Sequence, residues 1–174
     1  MDDAQLVKEC LKGNPKAQKT LFDRFAPMMF VVCLRYFKQR SQAEDALQDA
    51  LIKVFVKLSE FKNEGVLEGW VRRIVVNTCL DHIRKNLKFQ ADVSMGDVEY
   101  KIEQQEFTVE NLMANDLMKL IQTMPEGYKV VFNLFAIEGY SHQEIAATLG
   151  ISESTSKSQY LRARGYLKAR IEKR

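Results

Sequence analysis

"SHQEIAATLGISESTSKSQYLRAR", Ser141–Arg164, decides the fold. Ser141 and Glu144 stand three apart ahead of an apolar run. This is the spacing of a capping box, in which a hydroxyl and a carboxylate satisfy free backbone N–H groups at a helix start. Ile145, Ala146 and Leu149 mark one face of a short helix, and Gly150 supplies its stop. Ile151 then packs inward and Ser152 caps a second helix. Helix, glycine turn and basic helix within about 25 residues is the spacing of a helix-turn-helix.

The serines of the second helix cost helix propensity, a few tenths of a kcal/mol each. A recognition helix enters the major groove N-terminus first. Small residues there let the backbone approach phosphates, and hydroxyls and first-turn N–H groups donate to phosphate oxygens. With Ser156, Tyr160, Ala163 and Leu167 packed inward, Ser154, Thr155, Lys157, Ser158, Gln159, Leu161 and Arg162 are left toward DNA. Gln159 can pair with adenine, Arg162 with guanine, and Leu161 can touch a thymine methyl.

The charge distribution agrees. Trp70–Phe89 carries five cations against Asp81, and Lys157–Arg174 carries seven against Glu172. Between them, Ala91–Asp116 holds seven acids against Lys101. Basic patches suit nucleic acid or another anionic surface, although solvated helix faces give the same charge pattern. No run of about 18 apolar residues is present, so no membrane span is expected. "MDDAQLVKEC" lacks a signal-peptide core, which implies a cytoplasmic protein, and Asp2 and Asp3 read as a disordered start. Cys10, Cys33 and Cys79 are scattered and odd in number, as reduced, packed thiols are. His82 and His142 have no partner at ligand spacing, so neither metal nor other cofactor is expected.

Only 3 prolines and 8 glycines interrupt the chain, which predicts long helices. Asn14 and Pro15 open a first long helix, which Pro27 bends or restarts. Ser41 and Glu44 form a capping box for the next, with Ala43, Ala46, Leu47, Ala50, Leu51, Val54, Phe55 and Leu58 at helical spacing. "FKNEGVLEGW", Phe61–Trp70, breaks the pattern as a loop, and a third long helix follows from Trp70. Phe22, Phe25, Phe30, Phe37 and Trp70 read as core. Helical signal returns near Leu112, stops at Pro125 and resumes to Gly139. The chain is therefore all-α, with small helical domains at 1–89 and 112–174. A flexible acidic linker, 90–111, joins them and can extend some 65 Å at about 3.3 Å per residue.

These segments resemble the sigma-70 family, specifically its small extracytoplasmic-function (ECF) sigma factors. "YSHQEIAATLGISESTSKSQYLRAR" resembles the reader of the −35 promoter element. "AEDALQDALIKVFVKL" resembles the helix that docks on the polymerase clamp. "GWVRRIVVNTCLDHIRK" resembles the helix that opens and reads the −10 element. The resemblance covers nearly the whole chain. It implies that Asp45, Gln48, Asp49 and Lys53 contact a basic coiled coil of the polymerase β′ subunit. It implies that Asn77 and the loop Phe61–Leu67, including Phe61, Lys62 and Asn63, form a pocket for a base taken from the stack. Arg73, Arg84 and Lys85 would then hold phosphates, with Leu80 on the same side of the helix. An amide that both donates and accepts suits base capture, though a core hydrogen bond is the other reading of Asn77. The implied partners are the polymerase core (β′ clamp and β subunits), promoter DNA and an anti-sigma factor, often membrane-bound, without membrane insertion of this chain. Three positions depart from the family pattern: Ser156 and Tyr160 where branched residues are usual, and Gln159 in place of a common arginine.

Two other functions fit the residues less completely. A helix-turn-helix regulator that ignores polymerase has no use for Asn77 and its basic helix. A helical interaction protein predicts no salt-dependent DNA binding. No nucleophile–base pair, metal cluster or phosphate loop supports an enzyme.

Overall fold

The computed structural model describes residues 1–86 and 114–173, which are helical and contain no strand. The chain divides into two compact units, Met1–Val93 and Ser94–Arg174. The expected linker, 90–111, lies outside the described residues.

The first unit holds α1 (Asp3–Leu11), α2 (Pro15–Leu34), α3 (Arg40–Val56), a 3-10 turn (Leu58–Glu60) and α4 (Leu67–Asn86). Its start is ordered. Asp2 caps α1 by accepting from the Gln5 N–H at 2.7 Å, and Asp3 pairs with Arg24 of α2, also at 2.7 Å. Sequence reading missed α1, although Leu6, Val7 and Cys10 lie at helical spacing and are buried. Asn14 caps α2 as expected. Pro27 does not restart that helix. α2 runs through it with Phe25, Ala26, Met29 and Val32 buried on both sides, and packing outweighs the missing N–H.

The expected capping box at Ser41 does not form. α3 begins one residue earlier, at Arg40, with Gln39 as an N-cap that makes no side-chain bond. Glu44 instead accepts from Arg40 at 2.8 Å, an i,i+4 pair. The buried stripe Ala43, Ala46, Ala50, Leu51 and Val54 faces α2 and α4, and its alanines let three helices pack closely. Phe25 and Phe37 are core, Phe22 is half-exposed, and Phe30 lies under the Arg40 guanidinium at 4.8 Å. Trp70 is partly buried against Phe61, their rings 5.6 Å apart.

The second unit holds α5 (Ala114–Thr123), α6 (Glu126–Phe132), a π-turn (Asn133–Ile137), α7 (His142–Leu149) and α8 (Glu153–Ile171). Here the expected punctuation is present. Ser141 and Glu144 make both bonds of a capping box, at 3.1 and 2.8 Å. Gly150 ends α7 at φ 68°, in the left-handed region where side chains are disfavoured. Ser152 caps α8 through the Thr155 N–H at 3.0 Å. Met124, Ala163, Tyr166 and Leu167 form the core that α8 shares with α5 and α6. The Tyr166 hydroxyl donates to the Thr123 carbonyl at 2.8 Å, tying α8 to the end of α5.

Candidate nucleic-acid interface

The α7–turn–α8 segment is a helix-turn-helix. Its first contact is polar: Ser156, fully buried on α8, lies 2.8 Å from Nδ1 of His142, the first residue of α7. The imidazole stacks on Phe135 at 4.2 Å, and Tyr160 leans on Phe135 at 4.5 Å. Serine and tyrosine at positions usually branched and apolar are thus matched by His142 and the Phe135 ring. Burial holds the His142 imidazole below its ordinary pKa, and the Lys157 ammonium pushes the same way, against Glu153.

Ser156, Ala163 and Leu167 are buried and Tyr160 is partly so, which is the inward face expected. Ser154, Lys157, Ser158 and Leu161 are exposed, while Thr155 and Arg162 are half-buried at the edges of the same outward surface. Lys157 pairs with Glu153 at 3.0 Å, and the Ser158 hydroxyl donates to the Thr155 carbonyl at 3.0 Å. Gln159 does not face outward. It is 6% exposed and lies against Gly127 of α6, where a Cβ would meet its Oε1 at 3.4 Å. That Oε1 is buried without a hydrogen-bond partner. The signal was present: Gln159 stands three after Ser156 and four before Ala163, between two inward residues.

In the first unit, Arg73, Asn77, Arg84 and Lys85 are exposed along α4. The exposure of Asn77 removes the core hydrogen bond as its reason. Leu80, placed on that side from spacing, is buried at its margin. In the loop before α4, Lys62 and Asn63 are exposed, and Asn63 has φ 56°. Phe61 is only 7% exposed and packs on Trp70. It supports the loop from below and offers no free ring to a base. An open cleft beside it is lined by Gln5 and Lys8 of α1 and by Lys12 just after that helix, together with Phe61 and Asn63.

Asp45, Gln48 and Asp49 are exposed on α3. The next residues along that stripe, Ile52 and Val56, are 62% and 75% exposed. Sequence reading did not single them out, although helical spacing leaves both off the core stripe and in line with Asp45, Gln48 and Asp49. Lys53 is half-exposed and turned toward α4, where it pairs with Asp81 at 3.3 Å. Asp81 also holds Arg84 at 3.2 Å, and Asp49 bonds His82 Nε2 at 2.7 Å. Polar pairs therefore staple α3 to α4 beside the acidic stripe.

The chain matches the family model "Sigma-70 region 2" over residues 21–89 and "Sigma-70, region 4" over residues 114–167. It is 29% identical to the ECF RNA polymerase sigma factor SigM of Mycobacterium tuberculosis over 165 residues, spanning 95% of this chain and 82% of that protein. It is 24% identical to the ECF RNA polymerase sigma-E factor of Haemophilus influenzae, spanning 99% and 96%. Among solved structures, the fold is shared with the sigma factor RpoE of Bartonella quintana in complex with its anti-sigma factor NepR. That likeness has TM-score 0.55 and 22% identity, over 88% of this chain and 96% of that one. The fold is also shared with CnrH in complex with the cytosolic domain of CnrY, at TM-score 0.52 and 22% identity. The chain belongs to the sigma-70 family of RNA polymerase sigma factors, in its extracytoplasmic-function group, the proteins by which the polymerase recognises promoters.

Proposed function

We propose that this sigma factor docks on the polymerase core through α3 and reads two promoter elements with two exposed helix faces, performing no reaction of its own. Residues 1–89 would carry docking and −10 capture, 112–174 would carry −35 reading, and 90–111 would join them. The observation that carries this reading is the pair of basic, outward faces on separate units. Arg73, Asn77, Arg84 and Lys85 lie on α4; Ser154, Lys157, Ser158, Leu161 and Arg162 lie on α8, with Arg162 half-buried at its edge.

On α8, the hydroxyls and first-turn N–H groups meet phosphates, Arg162 pairs with a guanine edge and Leu161 contacts a methyl. On α4, Asn77 presents an amide for the edge of an unstacked base, Lys62 and Asn63 close over it, and Arg73, Arg84 and Lys85 hold the backbone. On α3, Asp45, Gln48 and Asp49 face a basic surface of β′, and Lys53 positions the helix through Asp81. Such work belongs in the cytoplasm with the polymerase. Among the described residues, no helix is long and apolar enough to cross a membrane. One structural relative is bound to an anti-sigma factor, and an anti-sigma partner for this chain would cover the docking and DNA faces.

Reconstituted run-off transcription tests the reading. The chain, core polymerase and a pool of promoter fragments should give discrete transcripts that Asn77→Ala and Arg162→Ala abolish. Dimeric DNA binding without polymerase co-migration would instead make it a plain regulator and remove the roles given to α3 and α4.

A further inference from the structure

Cys33 on α2 and Cys79 on α4 meet inside the first unit. Both are fully buried, and their Sγ atoms lie 3.6 Å apart. Neither belongs to the docking or DNA faces. We propose that this pair is an oxidative modification site, at which a small peroxide forms a reversible disulfide that ties α2 to α4.

The geometry needs little change. A disulfide spans about 2.05 Å, so the sulfurs must close by roughly 1.5 Å, within reach of side-chain rotation and a small helix shift. Cys10, the remaining thiol, sits on α1 and makes no sulfur contact among the described residues. Burial pushes its thiol pKa up.

The chemistry balances. One thiol gives up its proton, and the thiolate attacks a peroxide oxygen. The O–O bond breaks, and the departing oxygen takes the proton, leaving a sulfenic acid. The second sulfur attacks the sulfenic sulfur, the S–S bond forms, the S–O bond breaks and water leaves. With hydrogen peroxide, two thiols and one oxidant give one disulfide and two waters. Burial selects the oxidant. A mixed disulfide with a bulky thiol compound has no room in a closed core, whereas hydrogen peroxide is near water in size. Entry needs local opening, so the reaction is slow. Once the sulfenic acid forms, the second sulfur already in contact captures it before further oxidation.

The cross-link closes a long loop, since the cysteines are 46 positions apart, and restricts the unfolded chain. It also fixes α4 from its buried side, opposite exposed Asn77.

The test uses the full chain and hydrogen peroxide in native buffer, followed by alkylation under denaturing conditions and a tryptic map without reduction. The expected product is a peptide joining Phe25–Arg35 to Ile74–Arg84, released by dithiothreitol, with Cys10 alkylated. The first unit's thermal midpoint should rise by several degrees, roughly the shift of a stabilised small domain, and fall back on reduction. Cys33→Ala and Cys79→Ala each remove the linked peptide. Because either change opens a core cavity, the wild-type map decides by itself. Thiols still alkylated at doses that oxidise the urea-unfolded chain would overturn the proposal. So would higher oxides on either cysteine, or a linkage through Cys10.

Discussion

His142 and Ser156 lie 2.8 Å apart and join the two helices of the DNA-reading motif by a polar bond where an apolar contact is usual. The bond holds α8 at a fixed roll against α7, and that roll decides which side chains face the groove. Ser156→Ala leaves a shielded imidazole nitrogen without its partner, a loss of about 1–3 kcal/mol. Thermal unfolding should show the second unit destabilised by that amount, with −35 duplex binding weakened as the roll loosens. Unchanged stability would mean that the bond contributes little.

The same histidine gives the unit a pH dependence. Burial and Lys157 hold the His142 pKa below its ordinary value, so the unfolded chain binds the proton more readily than the folded one. Stability is then fully present above the ordinary imidazole value of about 6.5 and declines as pH falls through the lower folded value. His142→Gln, which cannot titrate, should flatten the curve of thermal midpoint against pH between 7 and about 5. A curve of unchanged slope would place the titration elsewhere.

How much of this was legible in the sequence depended on whether the signal was local. Ser141–Glu144, Gly150 and Ser152 were read correctly because caps and left-handed stops involve neighbours within four residues. Ser41–Glu44 has the same letters, yet the helix starts at Arg40, whose guanidinium takes the carboxylate. The family resemblance puts Phe61 in the −10 pocket, and helical spacing with a match to adenine puts Gln159 on the −35 face. Tertiary packing against Trp70 and Gly127 draws both inside. Ile52 and Val56 fall outside the apolar stripe that helical spacing gives for α3, and both are exposed.

Gln159 and Arg162 should therefore part company. Gln159 is buried with its Oε1 unpaired, and Arg162 is half-exposed on the outward side. Gln159→Met replaces an unsatisfied amide by a chain of similar volume, so promoter selectivity should persist and stability should hold or rise. Arg162→Ala should cost about 1–3 kcal/mol in −35 affinity, roughly fivefold to 150-fold, and relax preference at one base pair. Binding titrations against a panel of single-base variants would separate the two. Lost selectivity in the methionine variant would show that Gln159 turns outward on DNA.

A similar division holds between Phe61 and Asn77. Phe61→Ala removes a buried ring that packs on Trp70 and should destabilise the first unit by about 3–5 kcal/mol. Asn77 is exposed, so Asn77→Ala should leave unfolding stability within about 0.5 kcal/mol of wild type. It should instead reduce promoter opening, read by permanganate footprinting, while −35 binding stays intact. An Asn77→Ala protein that opens promoters normally would remove the residue from the −10 pocket.

Ile52 and Val56 extend the acidic stripe of α3 with apolar surface, both more than half exposed. An exposed aliphatic pair next to Asp45, Gln48 and Asp49 suits a docked partner whose centre is apolar and whose rim is basic. Ile52→Ala and Val56→Ala remove mostly exposed side chains, so unfolding should change by no more than about 0.5 kcal/mol. If the stripe is the docking face, each should weaken binding to core polymerase by about 1 kcal/mol or more, roughly fivefold. Asp45→Asn and Asp49→Asn should act differently, slowing association and reducing its salt dependence. Asp49→Asn also weakens the bond to His82, so a matched His82→Gln control separates helix positioning from direct contact. Competition between labelled wild type and each variant for core polymerase, at two salt concentrations, gives all of these values. Alanine variants that compete as well as wild type would confine the docking face to the acidic half of α3.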